Sequence, residues 1–103
     1  MPTYLIVNRP PADYRPSPDL MTKWTDWFDR LASALVDRGN PVFTWQVIGD
    51  TPSTTVLGGY TLISADDLPA AVALASTCPV LGEGGAVEVG ELVVFNAGRG
   101  PAR

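Results

Sequence analysis

The sequence predicts an α+β domain whose elements follow the order β-α-β-β-α-β along 103 residues. Runs rich in β-branched and aromatic residues, typical of strands, lie at residues 4–7, 41–48, 57–64 and 87–95. Apolar residues recur at helical spacing in two further segments, which end at Gly39 and at Pro79. Turns rich in glycine and proline separate these segments and complete the pattern.

A proline-rich loop joins the first strand to the first helix. Four prolines within residues 8–18 exclude regular structure there. Ser17 then supplies a hydroxyl cap and Pro18 a favoured first helical residue, so the helix is predicted to begin at this point. The apolar positions of this helix are Leu20, Trp24, Trp27, Phe28, Leu31 and Leu35. Gly39 provides the stop signal.

The second half of the chain is clearer. Residues 41–48 alternate bulky side chains and predict the second strand, and residues 57–64 predict a central strand because both of its faces carry bulk. Ser64 and Asp67 match a capping box, which predicts the start of the second helix. That helix ends before Pro79, since the residue preceding a proline is disfavoured in the helical region.

This order is the split β-α-β arrangement of ferredoxin-like domains, in which both helices cover one face of a four-stranded antiparallel sheet. The opposite face then stays bare. Because 46% of the residues are hydrophobic, a bare sheet face is expected to be an interface. A two-fold homodimer with two sheets packed face to face covers it most economically.

The composition of the chain indicates which kinds of partner and which cellular location are expected. The net charge of −4 and the scattered arginines disfavour nucleic acid, and no apolar run reaches the length of about 20 residues that a membrane span needs. Cys78 is the only cysteine, so no internal disulfide can form and a cytoplasmic location is favoured. Without histidine, neither a metal site nor a cofactor is expected. We expect one domain over residues 1–103, with residues 97–103 as a flexible tail.

The chain also resembles the YCII-related domain family, whose close relatives are named for a DGPF motif. The resemblance rests on LGGYTLI at residues 57–63, ADDL at 65–68, CP at 78–79 and GGAVEV at 84–89. Trp24, Trp27, Leu31 and Gly39 fit the pattern in the first helix. The resemblance implies a dimeric α/β barrel of ferredoxin-like subunits. Some relatives carry a histidine and an aspartate proposed as a catalytic pair, and one is a dehydrochlorinase of chloroaromatic breakdown.

The departures from that family limit what the resemblance implies. This chain has no histidine, and by spacing from Gly39 the family's first-helix histidine falls near Phe28. Asp50 lies where a family aspartate could stand, but its partner is missing. The DGPF motif is replaced by GDTPS at residues 49–53. A histidine–aspartate acid–base mechanism is therefore excluded for this chain.

Three side chains are candidate catalytic groups: the phenol of Tyr60 and the carboxylates of Asp50 and Glu83. Glu83 lies among glycines and could swing over a pocket. Each group also has a plainer interpretation, such as a structural hydrogen bond for Tyr60 or a solvated turn for Glu83. Cys78 is not expected to act as a nucleophile, because the carboxyl end of a helix dipole disfavours a thiolate.

Aromatic residues are the candidate lining of a binding pocket. The set comprises Trp24, Trp27, Trp45 and Tyr60. Trp24 and Trp27 lie three residues apart on the first helix, and packing in the core is the alternative interpretation for both. Asp66 and Asp67 are adjacent carboxylates, but capping of the second helix explains them without a catalytic role.

The sequence leaves two alternative functions open. The first is a homodimeric small-molecule-binding or regulatory domain, in which aromatic residues enclose a cleft roofed by the proline-rich loop. Its ligand would be a small aromatic or dicarbonyl compound. The second is a small cofactor-independent enzyme, a lyase or isomerase, in which Tyr60, Asp50 or Glu83 moves a proton. The enzyme requires at least one of these groups to be buried in a cleft with a shifted pKa.

Overall fold

The structure, a computed structural model, describes residues 1–51 and 54–94. It confirms an α+β domain with one open antiparallel sheet of four strands. The strands are β1 (Thr3–Arg9), β2 (Leu35–Asp37), β3 (Gly59–Ser64) and β4 (Ala86–Leu92). The helices are α1 (Leu20–Leu31), α2 (Leu68–Ala75) and α3 (Pro79–Gly82), and a 3-10 turn (Ala32–Ala34) links α1 to β2.

The first strand lies at the centre of the sheet, whose order is β2-β3-β1-β4. Leu5 of β1 lies opposite Leu62 of β3 and Gly90 of β4. Since side chains alternate along a strand, Leu5 and Leu62 share one face of the sheet, while Tyr4 and Ile63 share the other.

The helices pack on the face that carries Tyr4 and Ile63. The buried apolar core consists of Tyr4, Ile6, Trp27, Leu31, Ile63, Ala65, Ala71, Ala75, Cys78 and Val80. Two fully buried alanines, Ala71 and Ala75, let α2 approach the sheet closely. Each large side chain in this core contributes about 1.5–3 kcal/mol through removal from water. The opposite face, which carries Leu5 and Leu62, is referred to below as the open face.

The prediction of a second strand at residues 41–48 was wrong. The second strand is β2, which occupies the free edge of β3 and pairs through Leu35 and Asp37 with a bulge between them. Residues 41–48 do not join the sheet as a strand, and Pro41 forms an isolated bridge to Gly59. β2 pairs there because the half-buried Leu35 packs against the core.

The helix boundaries also differ from the sequence predictions. α1 begins at Leu20 with Asp19 at the N-cap, and it ends at Leu31 because Ala32 adopts φ 51° and breaks the helical path. The cap of α2 is Asp67, whose carboxylate accepts a hydrogen bond from the Ala70 backbone N–H at 2.9 Å. Ser64, the predicted cap, is the last residue of β3.

An arm leaves the sheet between β2 and β3. We use this name for residues 41–51 and 54–57. Three backbone hydrogen bonds of 2.9–3.0 Å join residues 8–12 to residues 54–58, so the pairing of β1 with β3 continues beyond the sheet. The Val42 N–H donates to the Gly58 carbonyl at 2.9 Å on the other side. The base of the arm is thereby fixed to the sheet.

Some sequence predictions fall on residues outside the described ranges. β4 ends at Leu92, and the last predicted strand position, residue 95, lies outside the described residues. So do the predicted tail at 97–103 and residues 52–53 of the predicted turn. Within residues 1–51 and 54–94, no helix combines the length and the apolar character that a membrane span requires.

The connection from β2 into the arm passes very close to β3, and Gly39 makes this approach possible. Gly39 has φ +73°, and a Cβ there would overlap the carbonyl oxygen of Tyr60. Replacement by any other residue must therefore strain the backbone or push the two segments apart.

We expect Gly39→Ala to lower the free energy of unfolding by at least about 2 kcal/mol, through backbone strain and the overlap with β3. Urea denaturation followed by circular dichroism measures this change. Gly90→Ala is the control, since a Cβ at Gly90 meets nothing within 4 Å. Equal stability of the two variants would contradict the close approach.

Candidate functional site

Two clefts open on the described surface. The helix-side cleft, of about 350 Å³, is lined by Lys23, Asp26, Trp27 and Arg30 of α1, residues 77–79 and residues 82–83. The arm cleft, of about 660 Å³, is lined by Arg9, residues 45–51 and residues 55–57. The candidate site residues named from the sequence are divided between these two clefts or lie outside both.

The three candidate catalytic groups lie in different places. Asp50 lines the arm cleft, and Glu83 lines the helix-side cleft. Tyr60 lines neither of these clefts and lies at the base of the arm, where its phenol oxygen accepts a hydrogen bond from Asn40 Nδ2 at 3.4 Å. Neither cleft therefore combines two of the three groups.

The tryptophans of α1 are part of the packing beneath the helices. Trp27 is only 2% exposed, and its indole N–H donates to Thr77 Oγ1 at 2.9 Å. The Thr77 hydroxyl donates in turn to the Leu74 carbonyl at 2.8 Å, which ties α1 to the end of α2. Trp24 packs edge-on against Trp27 with ring centroids 5.5 Å apart. The core interpretation therefore describes Trp27 best, although one side of it also lines the helix-side cleft.

Charges of both signs surround the helix-side cleft. Lys23 Nζ lies 3.6 Å from Glu83 Oε2, and the Lys23 side chain is 55% exposed. An ion pair this exposed contributes about 1 kcal/mol or less. Burial, and secondarily the charge of Glu83, raises the pKa of Tyr14 in the proline-rich loop. Glu83 is thus held by a salt bridge in a polar setting.

Cys78 forms part of the floor of the helix-side cleft and is 3% exposed. Burial raises the pKa of its thiol from 9.0 to about 11, against a smaller lowering by a backbone hydrogen bond from Val80. Cys78 is the N-cap residue of α3 and does not belong to the last turn of α2. The dipole at the carboxyl end of α2, which the sequence suggested, is therefore not the cause of the raised pKa. Burial is the cause, and the thiol carries its proton at neutral pH.

The arm cleft contains the remaining tryptophan and combines polar with apolar side chains. Its walls are formed by Trp45, Val47, Ile48, Val56 and Leu57. Trp45 is 46% exposed, so it is partly open to contact with a ligand. Trp45 is therefore the one predicted pocket-lining residue that lines this cleft.

Arg9 is a residue that the sequence reasoning missed. It is the last residue of β1, half-buried, and lies at the edge of the arm cleft. Its Nε donates to Thr55 Oγ1 at 3.1 Å, and its Nη2 donates to the Thr55 carbonyl at 3.4 Å. The only local signal was an arginine placed between an apolar strand and two prolines. The arm cleft thus contains a guanidinium of fixed orientation.

The two positions matched to the family's catalytic pair lie in separate environments. Phe28 belongs to the aromatic cluster of α1, where its ring centroid is 5.4 Å from that of Trp27 and 4.5 Å from the Arg38 guanidinium carbon. Asp50 lines the arm cleft. In the described part of the chain, no group of three or more histidine, cysteine, aspartate or glutamate side chains could hold a metal ion.

In comparisons with known proteins, no family model, curated protein or solved structure matches this chain. The resemblance to YCII-related domains therefore stays a prediction. The class of protein is defined by the geometry alone: a small α+β domain whose described helices pack on one face of the sheet and whose arm cleft contains Trp45 and Arg9.

Removal of the thiol tests the raised pKa of Cys78. The folded protein keeps the thiol protonated up to about pH 11, whereas the ordinary pKa is 9.0. The stabilisation from this group is therefore complete below pH 9 and is lost as the pH rises toward 11. From about pH 8 to about pH 11, the free energy of unfolding of the wild type should fall about 2 kcal/mol more than that of Cys78→Ala.

Urea denaturation at several pH values gives both curves. Any stability that Cys78→Ala loses through the small cavity is the same at each pH and cancels in the difference between the slopes. Parallel curves for the two proteins would show that the thiol titrates normally.

Proposed function

We propose that this chain is a homodimeric small-molecule-binding domain of the ferredoxin-like, YCII-related type, and that its ligand occupies the arm cleft. The observation that carries the proposal is the arm cleft itself. Its volume of about 660 Å³ is within the range of about 300–1,000 Å³ common for ligand sites, which are mostly apolar with a few polar groups.

The sheet order supports the ferredoxin-like part of the proposal. Strand order β2-β3-β1-β4, with antiparallel neighbours and the helices packed on one face, is what two interleaved β-α-β units produce. The resemblance in the second half of the sequence points to the same architecture.

The open face supports the homodimer. Leu5, Val7 and Leu62 lie half-buried on it, and Leu92 at its β4 edge is 42% exposed. The described helices all pack on the other face. A second copy of this chain, with its own open face turned inward, would cover these side chains in a two-fold interface.

The dimer and the binding cleft are related by geometry. Arg9 has the same parity on β1 as Leu5 and Val7, so it belongs to the open side of the sheet. The arm cleft that Arg9 lines therefore lies beside the proposed interface. A second copy packed there would help to close the cleft from solvent.

Binding is favoured over catalysis because the candidate acid–base groups are dispersed. Tyr60 is engaged by Asn40, Glu83 by Lys23, and Asp50 is exposed on the arm. Since proton transfer requires a positioned acid or base beside the reacting atom, the described geometry gives no support to the lyase or isomerase alternative.

The dimer is tested by multi-angle light scattering at micromolar concentration. The wild type should have twice the monomer mass. Leu62→Asp places a charge at the centre of the open face and should give a monomer, since an unpaired charge is strongly disfavoured in an interface. Met21→Asp, at a position of α1 that is 74% exposed, should remain dimeric.

Circular dichroism shows whether Leu62→Asp is folded, and Leu92→Asp at the exposed edge of the open face serves as a second variant. A monomeric wild type, or a folded and dimeric Leu62→Asp, would overturn the proposed interface.

Ligand binding is tested with a set of small aromatic and dicarbonyl fragments in ¹H–¹⁵N spectra. The indole signal of Trp45 and the amides of residues 45–51 and 55–57 should shift, while the indole signal of Trp24 should not. Trp45→Ala should weaken binding by about tenfold through loss of aromatic contact. Phe43→Ala is the matched control, because Phe43 is an arm residue that is 84% exposed and does not line the cleft.

Shifts confined to the helix-side cleft, or none with any fragment, would refute binding in the arm cleft.

A further inference from the structure

We propose that Arg9 makes the arm cleft selective for a ligand with one carboxylate on an apolar body. This inference rests on the proposed function, because it names the class of ligand for the same cleft. It depends on the orientation of the guanidinium, on its lack of a counter-ion and on the character of the surrounding walls.

The guanidinium of Arg9 is held in one orientation by Thr55. The bonds from Nε and Nη2 occupy the side edge of the planar group. The remaining donors, at the end of the group on Nη1 and Nη2, have no protein partner among the described residues. Two parallel N–H groups at the end of an arginine match the two oxygens of a carboxylate.

Arg9 also lacks a counter-ion. Among the described residues the only ion pair is Lys23–Glu83, on the other side of the molecule from the open face. Asp50 lines the same cleft as Arg9 but lies beyond ion-pair distance from it. Within the described part of the chain, the half-buried guanidinium keeps two donors at its end free to pair with an anion, and partial exclusion of water in the cleft strengthens that attraction relative to bulk water.

The walls of the arm cleft define the rest of the ligand. Trp45, Val56 and Leu57 offer apolar and aromatic contact next to Arg9. Asp50 adds one negative charge to the same cleft, which disfavours multiply charged anions such as phosphates. One fixed guanidinium, one aromatic wall and one repelling carboxylate fit an apolar monocarboxylate.

The test compares 2-naphthoate with 2-naphthamide, a neutral probe of nearly the same shape, by isothermal titration calorimetry. The wild type should bind the acid about tenfold more tightly than the amide, as expected for a charge-assisted bidentate contact that is partly exposed. Arg9→Gln should abolish that preference, so that the acid and the amide bind with similar affinity. Arg30→Gln removes a positive charge from the helix-side cleft instead and should preserve the preference.

A second measurement uses the wild type alone, in case Arg9→Gln disturbs the bond to Thr55 and the arm. In ¹H–¹⁵N spectra, the Nε–Hε signal of Arg9 should shift with 2-naphthoate and stay in place with 2-naphthamide.

The outcomes separate this inference from the proposed function. Equal binding of both probes in the arm cleft would refute the role of Arg9 and leave a small-molecule site there. A preference for the acid that survives in Arg9→Gln would also refute it. Absence of any shift at Trp45 with either probe would count against both proposals.

Discussion

The pairing of β1 with β3 is the interaction on which the rest of the structure depends. Its register places Tyr4 and Ile63 together beneath the helices and Leu5 and Leu62 together on the open face. A shift by one residue would exchange the two faces and destroy the core. The same ladder continues past the sheet, where it fixes the base of the arm. One register therefore decides the core, the bare face and the site.

Local sequence patterns predicted the elements that are stabilised by local interactions or that carry a strongly periodic pattern of apolar residues. β1, β3 and β4 were predicted from apolar runs, and the end of the second helix before Pro79 was predicted from the proline, whereas α3 was not predicted. The second strand was placed wrongly because alternation at residues 41–48 reports bulky side chains and cannot show which edge is free. β2 has three residues, too few to form a pattern, and it is a strand because Leu35 packs on the core.

The candidate site was predicted less well than the fold for a related reason. Trp45 and Asp50 were both named from the sequence and both line the arm cleft, but they were expected on a strand and in a turn of a sheet. Arg9 and Thr55 are 46 residues apart, and no spacing rule connects them. Their contact exists only because the β1–β3 ladder extends into the arm. Helical spacing, in contrast, correctly allowed a core role for Trp27.

Pro11, at the base of the arm, has a consequence for how copies of this chain can associate. Pro11 lies opposite Thr55 in the extended ladder, and its carbonyl accepts a hydrogen bond from the Tyr14 backbone N–H at 3.0 Å. β4 stops pairing at Arg9, and the next outward position, Pro11, has no N–H to offer a further strand. A further strand therefore cannot continue the ladder of β1 past Arg9 at this point, although the outer edge of β4 itself has no paired strand among the described residues. At the base of the arm, association with a second copy must rely on side-chain packing instead of strand addition.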